Sequence, residues 1–109
     1  MKKSNIVKDN KEFNRIIDTG KKLVGNYFII YYKDNNLKYS RYGISVGTKL
    51  GNAVTRNKYK RKIRMIITEN NLYNYSKDII ILMRKQGLNK SYQELNNNLL
   101  KLIQSIKEN

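Results

Sequence analysis

The chain has 109 residues, 39% of them hydrophobic, enough for one domain with a core of its own. Lys and Arg number 23 against 8 Asp and Glu, a formal net charge of +15 that selects polyanions as partners and disfavours neutral or cationic ligands. With no Cys and no His, disulfide frameworks, thiol chemistry, the commonest metal ligand and the usual general base are excluded.

The N-terminus, Met1-Lys2-Lys3-Ser4, is basic, but no apolar stretch of signal-peptide length follows it. Asp9-x-x-Glu12 then reads as a reciprocal capping pair opening a helix, with Phe13, Ile16 and Ile17 at helical spacing until Gly20. Tyr27 to Tyr32 is a strand with Tyr27, Ile29 and Tyr31 on one face and Phe28, Ile30 and Tyr32 on the other, closed by the turn cluster Asp34-Asn35-Asn36. Arg41 to Val46 alternates as a second strand, with Tyr42, Ile44 and Val46 on one side. After a loop over Gly47 to Gly51, Asn52 caps a long helix running to about Thr68. Asp78 to Met83 is a strand buried on both faces, and its aliphatic run is far too short to span a bilayer. Ser91-x-x-Glu94 is a capping box opening a final helix whose stripe is Leu95, Leu99, Leu102, Ile103 and Ile106, with Asn96 to Asn98 on its solvated face.

The order is helix, strand, strand, helix, strand, helix. Its strand–helix–strand unit from Arg41 to Met83 predicts a small α/β sandwich on a mixed sheet, as a single domain over residues 1–109. The expected setting is cytoplasmic, with no membrane partner.

Charge is concentrated in one segment. From Asn35 to Thr68 there is no acid, while nine bases occur, six of them between Arg56 and Arg64. At about 100° per residue, Asn57, Lys58, Lys60, Arg61, Lys62 and Arg64 fan over roughly half the helix circumference, opposite Tyr59, Ile63, Ile66 and Ile67. Solvated faces normally mix signs, because like charges at i,i+4 cost a few tenths of a kcal/mol. Arg56–Lys60–Arg64 and Lys58–Lys62 stack such penalties with no acid nearby in sequence, which points to an external polyanion. The preceding Gly47-Thr48-Lys49-Leu50-Gly51-Asn52 lacks P-loop spacing, and an ordinary strand-to-helix turn is preferred there over a phosphate seat.

Nine tyrosines against two phenylalanines and no tryptophan are a second signal, since tyrosine stacks on bases and its hydroxyl reaches phosphate or sugar. Phe28, Ile30 and Tyr32 read as core, and Tyr73, Tyr75 and Tyr92 as peripheral packing. Tyr27, Ile29 and Tyr31, opposite the helix bearing Phe13 and Ile17, fit either core or the floor of a groove for a single strand.

The string RYGISVGTKLGNAVTRNKYKRKIR, from Arg41 onward, resembles the protein subunit of bacterial ribonuclease P. The matching positions are Arg41, Gly43 and Val46; Lys49, Gly51, Asn52, Ala53 and Val54; Arg56 and Asn57; and Lys60, Arg61 and Arg64. Three departures stand out. Lys58 replaces the second arginine of the Arg-Asn-Arg triplet, Thr48 replaces the first of two lysines, and Ile17 stands where a second aromatic is common. The resemblance implies a left-handed crossover in the strand–helix–strand unit, where the general rule gives a right-handed one. It also implies an accessory protein that joins a catalytic RNA, as a monomer in a 1:1 ribonucleoprotein, and assists removal of 5′ leaders from precursor tRNA. Lys49, Asn52, Arg56, Asn57, Lys58, Lys60, Arg61, Lys62 and Arg64 would contact the RNA subunit, and Phe13, Ile17, Ile29 and Tyr31 would hold the leader. No catalytic residue or metal ligand is expected in the protein, with Mg²⁺ held mainly by the RNA.

Overall fold

The computed structural model describes residues 1–106. Helix α1 spans Asn10–Thr19, and the Asp9 carboxylate caps it by accepting the Lys11 N–H at 2.8 Å. The expected reciprocal half of that cap is absent, because Glu12 turns away to Arg41 at 3.1 Å. Next comes a strand the hydrophobic pattern did not predict, β1 over Lys21–Val24, antiparallel to β2 over Phe28–Asp34. Four residues, two of them exposed lysines, give no alternating signature, yet charge of this kind blunts a sheet edge against pairing with other chains.

Strand β3 (Arg41–Ser45), helix α2 (Ala53–Glu69), strand β4 (Lys77–Met83) and helix α3 (Tyr92–Ile106) complete the fold, each within a residue or two of its predicted bounds. The sheet order is β1-β2-β4-β3, with β4 antiparallel to β2 and parallel to β3, so α2 is the crossover between parallel neighbours. Burial follows the predicted faces. Phe28, Ile30, Tyr32, Tyr42, Ile79 and Ile81 pack against Tyr59, Ile63, Ile66 and Ile67 of α2 and Leu95, Leu99, Ile103 and Ile106 of α3. On the opposite face α1 lays Ile16 against Ile80 and Val7, with Phe13, Ile17, Tyr31 and Leu82 half-buried around them.

Two sequence expectations are corrected. Tyr27 precedes β2 and packs against the α2/α3 core, with the Lys90 ammonium 5.6 Å from its ring centroid, so it leaves the face of Ile29 and Tyr31. Of the asparagine triplet, Asn97 alone is exposed. The Asn96 Oδ1 accepts from Asn70 Nδ2 at 2.7 Å, and the Asn98 Oδ1 accepts the Tyr27 N–H at 3.2 Å. These amides pin α3 to the end of α2 and to the turn entering β2; a helical wheel does not show such partners.

The capping box of α3 forms as expected: the Glu94 N–H donates to the Ser91 hydroxyl at 3.1 Å, and the Glu94 carboxylate accepts the Ser91 N–H at 3.3 Å. The Ser91 backbone N–H, and then its hydroxyl, hold the Glu94 carboxyl below its ordinary value. Because the folded pKa is depressed, this stabilisation is present above the unfolded value near 4.5 and fades as pH falls through the folded one. A Glu94→Ala variant should therefore melt below the parent at pH 7, with the gap closing in acid; a gap independent of pH would mean the carboxylate is not its source.

Candidate nucleic-acid interface

Thr48–Leu50 forms a single 3₁₀ turn in which the Leu50 and Gly51 N–H groups donate back to the Gly47 and Thr48 carbonyls. These amides are spent internally, in keeping with an ordinary strand-to-helix turn. Gly51 has φ +150°, where L side chains strain, and a Cβ there would lie 2.9 Å from Thr55 Cγ2. Asn52 then caps α2, its Oδ1 accepting the Thr55 N–H at 2.9 Å. Helix α2 carries no acid in its first turn.

The side chains expected at an RNA surface differ in how they are held. Lys49, Asn57, Lys58, Arg61 and Arg64 are exposed, as is Asn52. Arg56 is half-buried and its Nε donates to the Gly51 carbonyl at 3.2 Å, bracing the loop. Lys62 is half-buried with its ammonium 5.3 Å from the Tyr59 ring centroid. Lys60 and Arg64 lie on the flank toward α1, where they line a cavity of about 240 Å³ together with Phe13, Gly43 and Ile44.

That cavity opens beside the second feature, the space between α1 and the sheet. The strand register puts Gly43, Ile80, Tyr31 and Lys22 in one row across the sheet, and Ser45, Leu82, Ile29 and Val24 in the next. Helix α1 covers the first row. Its Phe13 fits over Gly43, where a Cβ would lie 2.9 Å from the ring and 2.7 Å from Ile80 Cδ1. The second row is partly open, with Ile29, Ser45 and Leu82 half-buried and Val24 exposed. Phe13, Ile17, Ile29 and Tyr31 are all half-buried. The Lys22 ammonium stands 5.8 Å from the Tyr31 ring centroid on one bank, and Lys60 and Arg64 stand on the other.

Arg41, one of the nine bases in the acid-free stretch, does not add to the cationic surface. Its Nε and Nη2 bind both Asp78 oxygens at 2.8 and 2.6 Å, its Nη1 reaches Glu12 at 3.1 Å, and Asn35 Nδ2 adds a bond to Asp78 at 3.0 Å. The Asp78 hydrogen bonds, outweighing desolvation, raise the guanidinium above its ordinary value. Acids distant in sequence thus neutralise this base and tie α1 to β3 and β4. Among the described residues no three His, Cys, Asp or Glu side chains gather to hold a metal ion. Glu12 of α1 and Asp78 of β4 are both engaged by Arg41, so neither carboxylate stands free beside the groove.

Similarity to known proteins covers the whole of this architecture. The ribonuclease P family matches residues 1–107. The ribonuclease P protein component of Mycoplasma mycoides subsp. mycoides SC is 51% identical over 109 residues, covering 98% of this chain and 100% of the relative. That of Streptococcus thermophilus is 36% identical over 107 residues, covering 98% and 96%. The solved RNase P protein of Staphylococcus aureus superposes with a TM-score of 0.87 at 34% identity, over 96% of this chain and 97% of that one. The Thermotoga maritima RNase P protein gives 0.82 at 29%, over 91% and 94%. With sequence and fold matched along nearly its full length, the chain belongs to the bacterial ribonuclease P protein family, the protein component of the endoribonuclease that processes tRNA.

Proposed function

We propose that the chain binds the catalytic RNA of ribonuclease P through α2 and the single-stranded 5′ leader of precursor tRNA through the groove under α1. The observation that carries this reading is adjacency. An apolar, partly open groove bordered by Phe13 and Tyr31 meets a dense cationic helix along one shared bank, Lys60 and Arg64. Aromatic and aliphatic surface suits the unstacked bases of a single strand, while Lys and Arg suit its phosphates. Lys49, Arg56, Lys58, Arg61 and Lys62, with the neutral amides of Asn52 and Asn57 among them, extend the cationic surface away from that bank toward the RNA subunit.

On this reading the protein binds, and hydrolysis with its Mg²⁺ is assigned to the RNA. The protein adds cation density between two polyanions, in a 1:1 particle. No helix among the described residues is long and apolar enough to cross a membrane, and the expected compartment is the cytoplasm, where precursor tRNA is made.

The deciding experiment is leader cleavage of a precursor tRNA at low millimolar Mg²⁺ with protein alone, a bacterial ribonuclease P RNA alone, and both. Cleavage in the combined arm only is the expected result. No gain over RNA alone, across several bacterial RNAs, would reduce the chain to a general RNA-binding domain, and cleavage by protein alone would make it a nuclease. Within the holoenzyme, Tyr31→Ala should weaken precursor binding by about 1–3 kcal/mol, the worth of one base stacked on an aromatic ring. Mature tRNA binding and RNA-subunit assembly should be untouched; equal losses for precursor and mature tRNA would remove Tyr31 from the leader site.

A further inference from the structure

Four large apolar side chains are exposed among the described residues: Met1, Val24, Val54 and Met65. Two of them stand on α2, Val54 at 78% exposure and Met65 at 46%. Counted at about 100° per residue from the buried stripe of Tyr59, Ile63, Ile66 and Ile67, both fall opposite it, on the helix crest. The crest reads Val54, Lys58, Arg61, Met65, at i, i+4, i+7 and i+11. Its two apolar ends lie about 16 Å apart, at about 1.5 Å of rise per residue.

Single exposed hydrophobic residues are ordinary on a surface. Here the choice runs against local preference. A β-branched residue on an exposed helix position is a poorer helix former than Lys, Arg, Glu or Ala. The first turn of a helix also favours acids, yet α2 has none there. An acid would repel a polyanion, and a lysine would bind one more phosphate; valine does neither. What it offers is a short apolar surface at the point a docked partner touches first, with the long arms of Lys58 and Arg61 between it and Met65. Beyond phosphate, a folded RNA presents ribose faces across its shallow minor groove and the faces of unstacked bases.

We propose that Val54 and Met65 are paired non-electrostatic contacts, each seated against a ribose or base face of the partner RNA, so that α2 recognises RNA shape as well as charge. The proposal rests on the reading of α2 as the RNA-subunit surface. Phosphate contacts determine how steeply affinity falls with salt, whereas apolar contacts shift affinity by the same factor at every salt concentration.

The test is binding of the full chain to a ribonuclease P RNA transcript over a salt series. Val54→Gln and Met65→Gln should each weaken binding about three- to tenfold, as expected for losing part of one apolar side chain's burial, with the salt slope unchanged. Met65→Leu should bind like the parent. Val54→Lys should also bind more weakly despite its added charge. The proposal is overturned if Val54→Lys binds more tightly with a slope steeper by about 0.7–0.9, or if the Gln variants match the parent. A Lys58→Ala control separates the two levels of inference. If its slope equals the parent's, the reading of α2 as the RNA surface fails, and the proposal falls with it. Thermal midpoints verify that each variant is folded.

Discussion

Asp78→Ala should lower the thermal midpoint by well over ~10 °C, the largest loss of stability expected from a single polar substitution in this chain. Asp78 is buried at the head of β4, the strand that pairs with both β2 and β3. Its carboxylate takes a two-pronged contact from Arg41 and a third bond from Asn35. Removing it leaves a half-buried guanidinium with Glu12 as its remaining acid, and breaking such a pair costs about 3–5 kcal/mol. At about 4–8 °C per kcal/mol for a domain of this size, the shift is large. Asp34 is the control. It pairs with Lys77, its direct cross-strand partner one position along from Asp78, but is highly exposed, and the pull of Lys77 on it is screened by water. Asp34→Ala should leave the midpoint nearly unchanged. Equal shifts for the two variants would show that the Arg41–Asp78 pair carries no special weight. Because Glu12 joins the same guanidinium, Asp78→Ala should also loosen α1 and weaken discrimination of precursor from mature tRNA.

This network marks where legibility in the sequence ends. The elements themselves were readable, because amphipathic spacing and caps are local: Asp9, Asn52 and Ser91 all cap as expected. So were the buried faces, since Phe28, Ile30 and Tyr32 alternate with Ile29 and Tyr31 at the period of a strand. What was not readable depends on tertiary neighbours. Glu12 has the spacing of a capping residue, and only the approach of β3 gives it a stronger partner in Arg41. Lys60 and Arg64 have a wheel position that says outward, but it does not say that outward there means toward Phe13 and Gly43. Strand β1 was missed because an edge strand needs few apolar residues and benefits from lysines, so its sequence resembles a loop. Val54 and Met65 are silent in the sequence for a different reason. The valine belongs to the family-like string and neither residue carries charge, so only their exposure in the fold distinguishes them.

Replacing Lys58, Arg61 and Arg64 together with alanine should weaken binding to the RNA subunit by two to four orders of magnitude, equivalent to about 3–5 kcal/mol. If about six phosphates are neutralised, log affinity in the parent falls with log salt at a slope of roughly −4 to −5, and the triple variant should flatten it by about 2–3. The stability of the free protein should move the other way. Lys60–Arg64 and Lys58–Lys62 are like-charged neighbours on successive turns, and removing Lys58 and Arg64 relieves both, each by a few tenths of a kcal/mol. Alanine is also the better helix former. The three side chains are exposed, and of them only Arg64 borders the packed interior, at the cavity it shares with Phe13 and Ile44. Affinity should therefore collapse while the thermal midpoint stays level or rises slightly, a pair of opposite signs that damage to the fold cannot produce. Arg41, already occupied by Asp78 and Glu12, should behave differently: Arg41→Lys should lower the midpoint and leave the salt slope of RNA binding where it was, since that charge never faced the RNA. If the triple variant melted lower and bound RNA with an unaltered slope, the cationic crest of α2 would be a solvated surface, and the RNA would have to dock elsewhere on the chain.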